Sequence, residues 1–231
     1  MRYAGGGIVR HLGLQNYTGP VAALAELIAN AWDADAREVR VKIPLGKPLK
    51  PRHKIIVKDD GCGMSWGDCD EKYLVIGRNR RDVEKTEKTL GKRPLMAHKG
   101  LGKLAGFGIA KIVEVKTVSK RKLTHFRMSF DDLDALKQGE TYYPKMIKDE
   151  KPIKLPDGTE IILKELSLER AIPREQLILS MSTRFSIFSE KFKVWINNTL
   201  LEKSRTPLEF RFPEKGDEDT TEIDKDGFGT T

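Results

Sequence analysis

Glu26-Leu27-Ile28-Ala29-Asn30-Ala31-Trp32-Asp33-Ala34-Asp35-Ala36 is the stretch on which the reading of this 231-residue chain turns. It belongs to a helical pattern over 20–34. At about 100° per residue, Val21, Leu24, Ala25, Ile28, Ala31 and Trp32 fall on one side, and Glu26, Asn30 and Asp33 on the other. Thr18 stands where a cap belongs, and Pro20 suits the first turn. A solvated polar face explains these three residues on an isolated helix. The same spacing also puts a carboxylate that can activate water beside a carboxamide oxygen that can ligate a hard cation. Magnesium favours such oxygen ligands and keeps waters while it bridges phosphates.

Next in the chain, 38–43 alternates through Val39, Val41 and Ile43, as a strand does. A second apolar strand at 54–58 runs straight into Asp59-Asp60-Gly61-Cys62-Gly63-Met64. Asp-Gly is ordinary turn chemistry. Two closely spaced glycines also let a backbone pass near a flat ligand, and Asp59 is then placed to accept a hydrogen bond from the exocyclic amine of adenine. Helical propensity returns at 68–76. The stretch 77–99 carries eight lysines and arginines with few apolar anchors, which predicts a mobile loop.

Lys99-Gly100-Leu101-Gly102-Lys103-Leu104-Ala105-Gly106-Phe107-Gly108 follows. Glycines opening a helix expose backbone N–H groups to phosphate, with Lys99 and Lys103 adding charge. Such runs serve equally for tight helix packing. The chain contains neither G-x-x-x-x-G-K-[ST] nor G-x-G-x-x-G, which excludes the Walker and dinucleotide loops. Further strands are expected at 112–119, 123–129, 159–166 and 193–196, with a helix at 174–185. Gly158-Thr159 is ordinarily just a turn at a strand start. Alternatively, the Thr159 hydroxyl supports the Asp59 carboxylate, directly or through water. From 214 onward the acidic tail reads as a linker or frayed end. This order of elements predicts an α+β sandwich rather than a regular βαβ alternation.

Composition sets outer limits. Charged residues make up 33% and apolar ones 39%, which suits a well-solvated globular protein, and no apolar run is long enough to span a bilayer. The N-terminus lacks a signal-peptide core, so a cytoplasmic address is expected. Cys62 and Cys69 form no C-x-x-C pair or Cys/His cluster, which argues against zinc and for reduced thiols. The net charge of +8 favours acidic partners, although no aromatic–basic interleaving marks a nucleic-acid surface.

In combination and in order, these four segments resemble the GHKL ATPase superfamily of gyrase, ninety-kilodalton heat-shock chaperones, histidine kinases and MutL. ELIANAWDA is similar to its E-x-x-x-N-x-x-D-A box, DDGCGM to its D-x-G-x-G box, KGLGKLAGFGIA to the glycine box ending the ATP lid, and DGTEIIL to the last G-T box. The resemblance covers about 16–166 and implies a Bergerat-type sandwich, a mixed and mostly antiparallel sheet covered by helices. It implies ATP and magnesium as ligands, with Glu26 as general base, Asn30 as the magnesium ligand and Asp33 supporting the nucleotide site. Asp59 would bond the adenine amine, and Gly61, Gly63 and Met64 would wall its pocket. Lys99, Gly100, Leu101, Gly102, Lys103 and Leu104 would hold phosphates, Thr159 would back Asp59, and 77–99 would be the lid.

The motifs look closest to MORC-type and prokaryotic chaperone-like members, which implies an ATP-dependent homodimer joined through N-terminal segments such as 1–17. Residues 1–170 would form the ATP-binding domain, 171–213 its extension or the start of a transducer, and 214–231 a linker. Such ATPases take a phosphate-sensing lysine or arginine from a transducer domain. The chain ends at Thr231, too soon to hold all of one, so a fragment with slow hydrolysis of its own is expected. Any DNA or protein client would bind through regions outside it. Glu26 argues against histidine-kinase chemistry, which normally lacks a water-activating glutamate there. A nucleotide-regulated binding module without hydrolysis remains the second reading.

Overall fold

The structure, a computed structural model, describes residues 19–75, 88–96, 102–137, 140–168, 170–185, 191–202, 222–223 and 229–230. Helix α1 (Pro20–Asp33) starts after Gly19, whose extended backbone serves as N-cap without a side-chain bond, and Pro20 occupies the first turn. Thr18, the expected cap, lies outside the described residues. The buried side of α1 comprises Ala23, Leu24, Ala25, Leu27, Ile28, Ala31 and Trp32. It is wider than a single apolar stripe because α1 has neighbours on several sides: strand β2 (Ile55–Asp59), a 3-10 helix at Gly102–Gly108 and helix α2 (Arg174–Phe185). Its alanines let these neighbours approach closely.

Eight strands form one sheet. With β1 (Glu38–Lys42) and β2 these are β3 (Ala110–Ser119), β4 (Lys122–Ser129), β5 (Lys145–Pro152), β6 (Gly158–Leu166), β7 (Lys193–Ile196) and β8 (Thr199–Leu200). Their order is β5-β4-β3-β6-β2-β1-β7-β8, antiparallel throughout except where β7 joins β1 in parallel. Val39, Val41, Val57, Val115, Phe126, Ile161 and Leu163 are all buried in the core, and the residues between them alternate to the opposite face. This is the expected α+β sandwich of a mixed, mostly antiparallel sheet and helices.

The departures have local causes. The helix expected at 68–76 begins earlier, at Trp66–Asp68, because Ser65 and Asp68 form a reciprocal capping box; it continues as a π turn at Cys69–Tyr73. Lys145–Pro152, too charged to read as a strand, is the sheet edge, paired to β4 with register shifts. Lysines on an edge discourage further strand addition. The glycine run is a 3-10 helix pressed onto the sheet. A Cβ at Gly106 would lie 2.8 Å from Leu163 Cδ2 and 3.0 Å from Val113 Cγ2. Within the expected linker, Glu222–Ile223 pairs antiparallel with Gly229–Thr230. Cys62 is exposed and Cys69 buried, both free thiols. Among the described residues no helix is long and apolar enough to cross a membrane.

Gly106→Ala therefore overpacks the contact between the 3-10 helix and the sheet. A loss of about 1–3 kcal/mol is expected in urea unfolding; an unchanged midpoint would show that Leu163 moves aside without cost.

Candidate functional site

Asp59 ends β2 at an inward-facing position, where the alternation sets its carboxylate among core residues. Its Oδ1 accepts the N–H of Gly61 at 2.9 Å and the N–H of Thr159, on neighbouring β6, at 3.2 Å. Burial pushes the carboxyl up to about 6; the two N–H bonds oppose that shift, and adjacent Asp60 reinforces it. The expected support from Thr159 thus comes through its amide. Its hydroxyl instead lies 3.1 Å from that of Thr117 on β3, its directly opposed partner in the sheet. Thr117 Oγ1 also accepts the Met64 N–H at 2.8 Å. Thr117 was not singled out from the sequence. The available signal was a polar residue at an inward position, after Val113 and Val115.

The turn after Asp59 is shaped by its own chain. Gly63 has φ +61°, and a Cβ there would fall 1.8 Å from the Val118 carbonyl oxygen. At Gly61 it would meet Ala34 Cβ and O, both at 2.8 Å, and the next N–H, of Cys62, donates to that same Ala34 oxygen at 3.0 Å. Both glycines are thus required by backbone packing, before any ligand enters. Asp60 Oδ1 accepts the N–H groups of Arg37 and Glu38, each at 2.8 Å, and fastens the turn to the link between α1 and β1.

Through Ala34 the polar face of α1 joins this region: Ala34 donates its N–H to the Asn30 carbonyl one turn back, at 3.0 Å. Glu26 and Asn30 are both half-buried. The Asn30 carboxamide makes no hydrogen bond among the described residues, whereas Glu26 does interact with neighbours. Asp33 accepts the Met96 N–H at 2.8 Å.

Met96 belongs to the basic stretch 77–99, of which 88–96 is described. Rather than lacking anchors, this part is a docked hairpin, bridged between Lys88 and Pro94. Thr89 and Leu95 are buried. Asp35 accepts both the Thr89 hydroxyl and the Gly91 N–H, at 2.5 and 2.8 Å. Trp32 Nε1 donates to the Pro94 carbonyl at 2.8 Å, and the Arg93 guanidinium stacks 4.7 Å over the Trp32 ring. Lys99, Gly100 and Leu101, with 1–17, lie outside the described residues. The backbone of Gly102 and Lys103 opens the 3-10 helix. Leu104, expected among the phosphate-holding residues, buries its side chain in the core, which leaves its backbone for such a role.

The raised Asp59 pKa sets a stability prediction. The folded state holds this proton more tightly than the unfolded chain, so Asp59 costs nothing at low pH and destabilises the fold as pH rises through about 6. The shift from 3.8 corresponds to about 3 kcal/mol at about 1.36 kcal/mol per unit. Asp59→Asn keeps an oxygen for both N–H groups, so its melting temperature should exceed that of the wild type at pH 8 and match it near pH 4. Equal temperatures at pH 8 would mean that the carboxylate is not penalised by burial.

A family model described as histidine kinase-, DNA gyrase B-, and HSP90-like ATPase matches residues 17–155. A protein of Herpetosiphon aurantiacus named "Putative type II restriction enzyme HgiDII" is 32% identical over 194 residues, which are 83% of this chain. The chain spans 30% of that relative's length.

Proposed function

The chain belongs to the histidine kinase-, DNA gyrase B- and HSP90-like ATPases, and on that premise we propose that it binds ATP with magnesium and hydrolyses it to drive an ATP-gated dimerisation or conformational switch. The observation that carries the nucleotide reading is Asp59: a half-buried carboxylate whose Oδ1 is taken by two N–H groups and whose Oδ2 accepts no hydrogen bond among the described residues. An adenine amine supplies the donor that Oδ2 lacks. Gly61, Gly63, Met64 and Thr159 border that position.

Residues on α1 fit a magnesium-bound triphosphate. The Asn30 carboxamide, unbonded among the described residues, would offer one oxygen to magnesium, and the ion held there would supply positive charge to the phosphates. Glu26, one turn earlier, orients water for attack on the γ-phosphorus. As the new P–O bond forms, the bond to the β-phosphate oxygen breaks, ADP leaves, and Glu26 takes the water's proton. Lys99, Gly100, Leu101, Gly102, Lys103 and the Leu104 backbone hold phosphates at the close of the lid. Asp33 and Asp35 tether the lid's hairpin to the helix that carries Glu26. Closure of the lid over ATP, with 1–17 joining two subunits, forms the switch.

A MORC-type or chaperone-like mode of action, a cytoplasmic setting and a transducer following 1–170 all belong to this proposal. The relative named for restriction favours DNA, over a protein client, as the partner on which the switch acts.

Glu26→Ala should abolish phosphate release while leaving ATP affinity within a few-fold. Normal turnover in that variant would remove Glu26 as the base. Asp59→Asn should weaken adenine-nucleotide affinity by about 10- to 100-fold, the value of one lost charge-assisted hydrogen bond. Unchanged affinity by calorimetry would refute that role. A wild-type chain that binds ATP yet releases no phosphate would be a nucleotide-regulated binding module instead.

A further inference from the structure

The face of the sheet turned away from α1 carries its charges in rows. One cross-strand row begins at Trp195 on β7, directly opposite Arg40 on β1. Arg40 faces Lys58 on β2, Lys58 faces Glu160 on β6, and Glu160 faces Lys116 on β3. Lys116 faces His125 on β4, and His125 faces Lys148 on β5. The adjacent row runs from Lys42 through Ile56, Ile162, Glu114 and Arg127 to Lys145. The two rows hold seven lysines and arginines against two glutamates.

Both glutamates are already engaged. Glu160 pairs with Lys116 at 3.0 Å. Glu114, nearly buried, is clasped by Arg127 at 2.6 Å and by Lys164, from the end of β6, at 2.9 Å. Lys42, Lys58 and Lys148 are exposed and make no ion pair among the described residues. Arg40 and Lys58 stand directly opposite each other, an arrangement that opposes sheet stability. Arg40 is partly relieved by Glu38 and by stacking 5.0 Å from the Trp195 ring centroid; Lys58 stands opposite Glu160, whose carboxylate is already paired with Lys116. At each end of β1 the surface opens into a recess with basic lining. One, of about 590 Å³, is lined by Arg37, Arg93, Lys191 and Lys193 together with Glu38 and Asp60; the other, of about 450 Å³, includes Lys42, Arg52 and Lys54.

We propose that this open sheet face binds the phosphate backbone of a DNA duplex, without reading its sequence. It rests on the choice of DNA as partner made above, and it names the surface. Six strand spacings of about 4.8 Å give a row about 29 Å long. A duplex carries one negative charge per about 1.7 Å of axis, so several phosphates fall within its reach. The geometry does not suit a lipid surface. Within the rows Ile162 is buried, Ile56 is half-buried, and the Trp195 indole is held by Glu38 at 3.1 Å, so the rows themselves present no projecting apolar side chain, and exposed Ile147 stands alone beside them on edge strand β5.

The test uses the full chain, a fluorescein-labelled 20-base-pair duplex of arbitrary sequence, and fluorescence anisotropy between 50 and 200 mM salt. Lys42→Glu, Lys58→Glu and Lys148→Glu are combined in one variant, and the same three lysines are changed to Gln in a second, milder one. The wild type should bind. The reversed variant should weaken duplex affinity by about 30-fold or more at 100 mM salt and flatten the log K against log salt slope by about 2.7, the value of three lost phosphate contacts. Its ATP affinity should be unchanged, which also reports that it is folded. The Gln variant should fall between. Duplex binding as in the wild type, in either folded variant, would place the surface elsewhere while DNA stands as the partner. No duplex binding by the wild type would overturn both, with the ATPase reading still judged by phosphate release. Loss of binding to phosphatidylserine vesicles without loss of duplex binding would assign the face to membrane.

Discussion

Two backbone N–H groups converging on one carboxylate oxygen hold the candidate site together. Gly61 comes from the turn that follows Asp59, Thr159 from the neighbouring strand, and both donate to Asp59 Oδ1. Without them a carboxylate at an inward position would be an unsupported charge in the core. With them the charge is held but remains costly, and one oxygen is left with acceptor capacity facing the site. The Thr159–Thr117–Met64 hydrogen bonds extend the same arrangement, so the turn is fixed from three strands.

Helix α1 links that turn to the rest of the machinery. Its apolar side supplies much of the core, its polar side carries Glu26 and Asn30, and its C-terminal end touches both the glycine turn and the 88–96 hairpin. Ala34 meets Gly61, while Trp32, Asp33 and Asp35 hold 88–96. A shift of the hairpin therefore bears directly on the helix that carries Glu26 and Asn30. Such coupling needs no long path, only one rigid element with two ends.

The strands and helices with clean periodicity were legible in the sequence. α2 and β7 occupy the residues expected of them, and α1, β1 to β4 and β6 fall within a few residues. β5 was not, because an edge strand of lysines and acids has no apolar alternation to detect. The site was legible as motifs but not as geometry. Asp59 was singled out with Thr159 as its support, yet the supporting atom is an amide, which every residue but proline possesses. Asp35 and Thr117 escaped notice for a related reason: their value lies in partners 54 and 42 residues away along the chain. At Gly61 and Gly63 the sequence leaves open whether a ligand or the chain itself comes close; a neighbouring strand and the end of α1 do so already.

One feature of the sheet reaches into how the chain assembles. β7 pairs with β1 in parallel, across more than 150 residues of intervening sequence. Parallel partners cannot be joined by a hairpin, so this pairing depends on chain far from β1 in sequence. Without β7, β1 presents an unpaired row of N–H and C=O groups beside the glycine turn. A chain cut at 170 would keep that bare edge permanently and would invite strand-to-strand aggregation. The segment beyond the sequence motifs is thus a protective margin for the strand that leads into the site.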